Sequence, residues 1–172
     1  VEERKGHKFI INAISKLKDK FPNLIYLIAG KGPYLEEIKK HVTKLSLENH
    51  VVFLGWITEP EKSLILKNSE IFAMTPTTVG ESVEGFGMAF IDAAFHGIPS
   101  VGSRSGGISD AIIENETGLL AEAGNQEEIT KKLTELLDNV ELRTKLGKRG
   151  KEIAESQYSW DNKIIEYLEA AN

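Results

Sequence analysis

The sequence predicts an α/β fold: a Rossmann-like parallel sheet with helices on both faces. Three observations predict it. Five short apolar runs have the length and composition of buried strands. Between them lie longer segments whose apolar residues recur at helical spacing, so strand and helix alternate. The turns that follow the strands are polar and rich in glycine, as in GKGP (30–33), GWITEP (55–60), TPTTVGESVEGFG (75–87) and SRSGG (103–107). In such sheets ligands bind beyond the C-terminal strand ends, which is where these turns fall.

The elements follow in order. Ile10, Ile14, Leu17 and Phe21 predict a helix over 7–20 that stops before Pro22. LIYLIAG (24–30) reads as a strand running into glycine, and PYLEEIKKHVTKL (33–45) as a helix with proline in its first turn. VVFLG (51–55) is a strand, EPEKSLILKNS (59–69) a helix, and IFAM (71–74) a strand before a long loop. GMAFIDAAFHG predicts a helix closed by Gly97. IPSVGS (98–103) is a strand, SRSGGISDAII (103–113) a glycine-rich turn into a short helix, and TGLLA (117–121) a strand. Two helical runs, 126–138 and 141–156, precede a last amphipathic stretch, SWDNKIIEYLEAA.

With 172 residues and no interior linker or repeat, the chain reads as one domain that buries its own core. It has no cysteine, which excludes disulfides and thiolate chemistry. A formal net charge of -5 argues against a nucleic-acid face. No apolar run approaches the ~20 residues of a transmembrane helix. The start, VEERKGHKF, is charged and carries no signal-peptide apolar region.

The stretch VEGFGMAFIDAAFHGIPSVGS (83–103) concentrates the chemistry. Glu84 stands before a Gly-Phe-Gly step that opens an apolar helix, and Asp92 lies about one turn inside it. Buried acids are costly unless paired or hydrogen-bonded. The first amides of a helix lack internal acceptors and carry partial positive charge, and glycine lets an anion approach them. The step is therefore a phosphate seat, or only a tight turn into the helix. Glu84 is an acceptor for sugar hydroxyls beside that phosphate, or a helix cap. Asp92 is its partner in binding, or a structural hydrogen bond to a neighbouring loop.

Other motifs fail. GKGP resembles half of a dinucleotide fingerprint, but the third glycine would fall at Leu35. There is no Walker A spacing and no GxSxG elbow. His7, His41, His50 and His96 lack metal-ligand spacing, and His96, four residues after Asp92, reads as structural. No metal and no cofactor is expected. Arg4 and Lys5 read locally as a solvated terminus.

The run EGFGMAFIDAAFHGIPSVGSRSGGISDAIIENETGLL resembles the C-terminal domain of the retaining glycosyltransferases called group 1, or family 4. KGH (5–7), LIAGKGP (27–33), VVFLGW (51–56) and IFAMTP (71–76) fall in the family's order, so the resemblance covers essentially the whole chain, 1–172. It implies the two-domain GT-B fold and the nucleotide-sugar-binding half of it. By resemblance, Glu84 begins the E-x7-E motif and touches the donor sugar at the reacting centre. The amides of Gly85, Phe86, Gly87 and Met88 hold sugar hydroxyls and the diphosphate. Asp92 stands where the family has a ribose-binding glutamate; it is one methylene shorter, which calls for a bridging water. Lys5 matches the diphosphate-binding lysine. Ile57, in the GWI turn, seats the base, and Gly32 of LIAGKGP joins the substrate-binding positions.

The resemblance further implies that the family's companion arginine and the domain's first strand lie upstream of this chain, leaving a gap or unpaired edge in the sheet. An N-terminal domain would supply the acceptor, a glycan or lipid. YSWDNKIIEYL is similar to the family's closing helix, which packs back toward that other domain. The expected activity is metal-free transfer of a sugar to an acceptor hydroxyl with retention, in the cytoplasm or at the inner face of the membrane. A sugar-nucleotide epimerase of the same fold and a non-catalytic nucleotide-binding module are the alternatives. GG-x-x-D and TGLL favour the transferase.

Overall fold

The computed structural model describes residues 1–159. The expected closing helix, SWDNKIIEYLEAA, lies almost wholly outside them. A 3-10 turn (Glu3–Lys5) leads into α1 (His7–Leu17), β1 (Tyr26–Ala29), α2 (Leu35–Lys44), β2 (Val51–Gly55), α3 (Glu59–Lys67) and β3 (Phe72–Ala73). Then follow α4 (Met88–Phe95), β4 (Ser100–Arg104), α5 (Ile108–Ala111), β5 (Gly118–Glu122), α6 (Gln126–Asp138) and α7 (Val140–Gln157). Every expected strand is present, and within the described residues each expected helix appears within a few residues of its predicted limits. Pro33 differs from expectation: it precedes α2, which begins at Leu35.

All strand pairs are parallel, but they form two sheets, β1–β2 and β3–β4–β5. Among the described residues nothing pairs β1 with β3, so the sheet is interrupted between them. The Tyr26 hydroxyl spans this break, donating to the Ala73 carbonyl at 3.5 Å. A cavity of about 970 Å³ lies along it, walled by residues of α1, β1 and β3. β3 is only two residues long, whereas β4 and β5, paired over five positions, are buried along four of their five residues.

Helices cover both faces. On one side Ile10, Ile14 and Leu17 of α1 pack with Ile38, Val42, Ile129, Leu133 and Leu136 of α2 and α6. On the other, Phe90 of α4 packs with Met74, Ile108, Ile112 and Leu120. The strand period of two divides β5 between them: Leu119 and Ala121 join the first core and Leu120 the second.

The helix starts differ. Thr58 and Glu61 form a capping box on α3, and Asn125 and Asn139 cap α6 and α7. By contrast, α1 and α4 have left-handed glycines, Gly6 and Gly87, at the N-cap and no side-chain cap. Their first amides are left for another partner.

Candidate functional site

α1 and α4 open at the C-terminal end of the strands, and the site forms where their leading segments meet. Glu84 Oε2 accepts hydrogen bonds from Arg4 Nη1 and from Lys5 Nζ, the latter at 2.6 Å. Arg4 and Lys5 thus share one oxygen of a carboxylate that lies 80 and 79 positions away in sequence. Arg4 Nε also pairs with Glu2 Oε2 at 2.7 Å. The Glu84 side chain is only 11% exposed, with Arg4 and Lys5 at 19% and 26%. Burial pushes the Glu84 carboxyl up; hydrogen bonds and charge from Lys5, then Arg4, outweigh it and hold it below the usual glutamate value.

Both segments are clamped from behind. The Thr77 amide donates to the Arg4 carbonyl at 2.8 Å, and the buried Thr75 hydroxyl to the Gly6 carbonyl at 3.1 Å. Gly6 is left-handed (φ 72°), and a Cβ there would stand 1.9 Å from the Thr75 carbonyl oxygen, so only glycine fits. The Glu84 loop rests on Gly106 and Gly107. The Gly107 amide donates to the Gly85 carbonyl at 2.8 Å, and a Cβ on Gly106 would lie 2.0 Å from the Glu84 carbonyl oxygen. Of the two roles expected for Glu84, the structure excludes the helix cap. No side chain caps α4, and the carboxylate turns to the two cations instead.

Gly85, Phe86, Gly87 and Met88 occupy the loop-to-helix step as expected. Gly85 and Met88 are exposed, and Phe86 stacks at a tilt on Tyr158, ring centroids 5.7 Å apart. Asp92 departs from the expectation of a buried acid. Its side chain is 36% exposed and pairs with Lys62 of α3 at 2.9 Å. The α4 stripe at this position faces another helix's edge rather than the sheet, which is why an acid fits among apolar neighbours. His96 is structural, as expected: its two ring nitrogens bond the Asp92 carbonyl and the Ser63 hydroxyl, both at 2.8 Å, tying α4 to α3.

The other expected positions lie around this centre. Lys5, Ile57 and Asp92 line the cavity along the sheet break, together with Trp56 and Lys62. Gly32 packs under residue 1, where a Cβ would be 2.1 Å from the Val1 carbonyl oxygen. No hydrogen bond joins Gly32 or Ile57 to Arg4, Lys5 or Glu84. Three site residues escaped the sequence reading. Arg4 was legible only as an Arg-Lys pair before Gly6. Lys62 had no signal beyond a helix position. Trp56, 75% exposed, was visible as an aromatic in a turn. Among the described residues no three His, Asp or Glu side chains are grouped to hold a metal ion. No helix among them is long and apolar enough to cross a membrane.

A family model described as "Glycosyl transferases group 1" matches residues 1–153. The chain belongs to this family. Group 1 membership also agrees with individual relatives. The chain is 28% identical over 170 residues to a GDP-mannose-dependent alpha-(1-6)-phosphatidylinositol monomannoside mannosyltransferase of Mycobacterium tuberculosis, covering 96% of this chain and 44% of that protein. The group 1 domain thus spans less than half the length of the curated relative it matches. It superposes on Anabaena HepE, solved with UDP and glucose, with a TM-score of 0.86 at 21% identity, covering 100% of this chain and 46% of that one. It also superposes on the C-terminal domain of a group 1 glycosyl transferase (LpcC) from Francisella tularensis, with a TM-score of 0.82 at 21% identity, covering 93% and 83%. The parallel strands with helices on both faces are therefore the GT-B type of fold.

Proposed function

We propose that the chain is the donor-binding half of a retaining glycosyltransferase, which moves a sugar from a nucleotide-sugar diphosphate to an acceptor hydroxyl. The observation that carries this reading is the meeting of Arg4, Lys5 and Glu84 at the uncapped start of α4. Two fixed cations and the opening amides of a helix suit a diphosphate. A buried carboxylate beside them suits the hydroxyls of the sugar that the diphosphate carries. The named relatives are transferases, and HepE was solved with UDP, which supports transfer over epimerisation or simple nucleotide binding.

In this reading Lys5 and Arg4, with the amides of Gly85–Met88, stabilise the charge that develops on the departing diphosphate. Glu84 orients the sugar. Asp92 accepts from the ribose, directly or through water, and Ile57 and Gly32 border the base. Neither metal nor organic cofactor is called for. The acceptor, a glycan or lipid, comes from a facing domain outside this chain, and the chemistry takes place on the cytoplasmic side. GDP appears in one relative's name and UDP in another's structure, so base and sugar are left open.

Isothermal titration of the folded chain with UDP, GDP and ADP tests the reading. At least one should bind, and the chain alone should transfer no sugar from a radiolabelled donor to cell-extract acceptors. Absence of heat with all three nucleotides would refute donor binding.

A further inference from the structure

The donor reading puts a diphosphate at Arg4 and Lys5, yet an internal anion already sits there. Both cations converge on a single atom, Glu84 Oε2, and neither bonds Oε1. The 3-10 turn that carries the cations is clamped by Thr75 and Thr77, and the Glu84 loop by Gly106 and Gly107. The backbones are therefore fixed, and only the side chains are free to exchange partners. Two cations face one buried carboxylate, with the half-exposed Glu2 as the further counter-charge on Arg4. A diphosphate offers more negative charge and several acceptor oxygens, which a guanidinium fork and an ammonium engage together.

We infer that Arg4 is a second diphosphate-binding residue, and that the Glu84 carboxylate competes with the diphosphate for Arg4 and Lys5. This rests on the donor reading. Diphosphate binding takes the two cations and releases Glu84 toward the sugar, so the same event that seats the donor frees the residue that orients it. A Glu84 that served the sugar alone would leave bare diphosphate affinity unchanged when neutralised. A competing Glu84 makes it rise.

The test uses the whole chain and two probes, inorganic pyrophosphate and whichever nucleoside diphosphate binds the wild type. Glu84→Gln keeps the shape and removes the charge; it should bind both probes about twofold to tenfold more tightly, the range of one partly exposed ion pair. Arg4→Gln should weaken both about tenfold and leave the unphosphorylated nucleoside unaffected. In the double variant the gain from Glu84→Gln should shrink. Melting temperature on the same samples establishes that each variant is folded. If the wild type binds a nucleoside diphosphate and Glu84→Gln binds it equally or more weakly, the competition is refuted while the donor reading survives. If Arg4→Gln binds like wild type, Arg4 has no such role. If the wild type binds neither probe, both the donor reading and this inference fall.

Discussion

Glu84 and Asp92 are two carboxylates eight positions apart on one loop and helix, and their surroundings differ throughout. Glu84 is nearly buried, held by two cations from a segment far away in sequence, and backed by glycines that no larger residue can replace. Asp92 is more than a third exposed and held by one lysine of the neighbouring helix, which it shares with Glu59. The contrast teaches that two acids close in sequence can sit in unlike surroundings in space. The first acid is bound into a largely buried charge cluster, and its removal leaves Lys5 without its partner and Arg4 with Glu2 alone. The second belongs to a solvent-screened pair worth little to stability.

The largest expected effect breaks or keeps this contrast at once. On the proposed reading, Glu84→Gln in a transferase that contains this chain and its acceptor domain should lower turnover about a hundredfold or more. Asp92→Asn should leave turnover at saturating donor nearly intact. Steady-state kinetics decide it; equal losses of kcat in both would erase the distinction.

Next in size is the backing of each acid. Gly106→Ala adds a strained left-handed residue (φ 56°) and a Cβ 2.0 Å from the Glu84 carbonyl oxygen. It should cost about 2–4 kcal/mol in denaturant unfolding. Gly97, at φ 73°, closes the helix that carries Asp92, but a Cβ there meets nothing nearer than 3.9 Å. Gly97→Ala should therefore cost only about 1 kcal/mol. A Gly106→Ala protein as stable as Gly97→Ala would show that the Glu84 loop is not tightly backed.

Asp92→Ala should weaken nucleotide binding by about 1.5–3 kcal/mol, or roughly tenfold to a hundredfold, through loss of a charged acceptor for the ribose. Lys62→Ala should leave that affinity nearly unchanged, and each variant should lose at most about 1 kcal/mol of stability. Matching losses of affinity in the two variants would assign Asp92 to holding α3 against α4 instead. Calorimetry and melting on the same samples separate these outcomes.

The smallest effect is in pH. Glu84 has a folded pKa below its ordinary 4.5, so the stability drawn from its ionised form is present above that value. It is lost as pH falls through the lower folded value. The stability gap between wild type and Glu84→Gln should therefore be flat near neutrality and narrow below about pH 4.5. Unfolding curves from pH 7 to pH 3 check it, and a gap that widens toward acid would reverse the sign assigned to the Arg4–Lys5 pairing.

Much of the fold was legible because it is written in local pattern. VVFLG is a strand at the residues expected, and the 126–138 run is a helix at the residues expected, since apolar period and helix-capping asparagines act within a few positions. The Gly-Phe-Gly step was legible as a helix entrance for the same reason, but that no side chain caps it was not. Arg4 was not. Nothing within several residues of it differs from a solvated charged terminus; its partner lies 80 positions away. Asp92 was misread as buried because an apolar run shows composition, whereas exposure depends on which helix packs over each residue. Lys62, which covers it, carries no local mark at all.

By itself, then, the sequence determined the alternation of strand and helix, the parallel sheet, the glycine turns at one end of it and the two acids at the helix entrance. These depend on short-range periodicity, backbone sterics and side-chain polarity, all encoded within a turn or two of chain. Only the tertiary structure decided that Arg4 and Lys5 converge on Glu84 and that Asp92 answers to Lys62. Those outcomes depend on contacts between segments distant in sequence. Electrostatic pairing is set by distances of a few ångströms across that packing, and no local pattern records them.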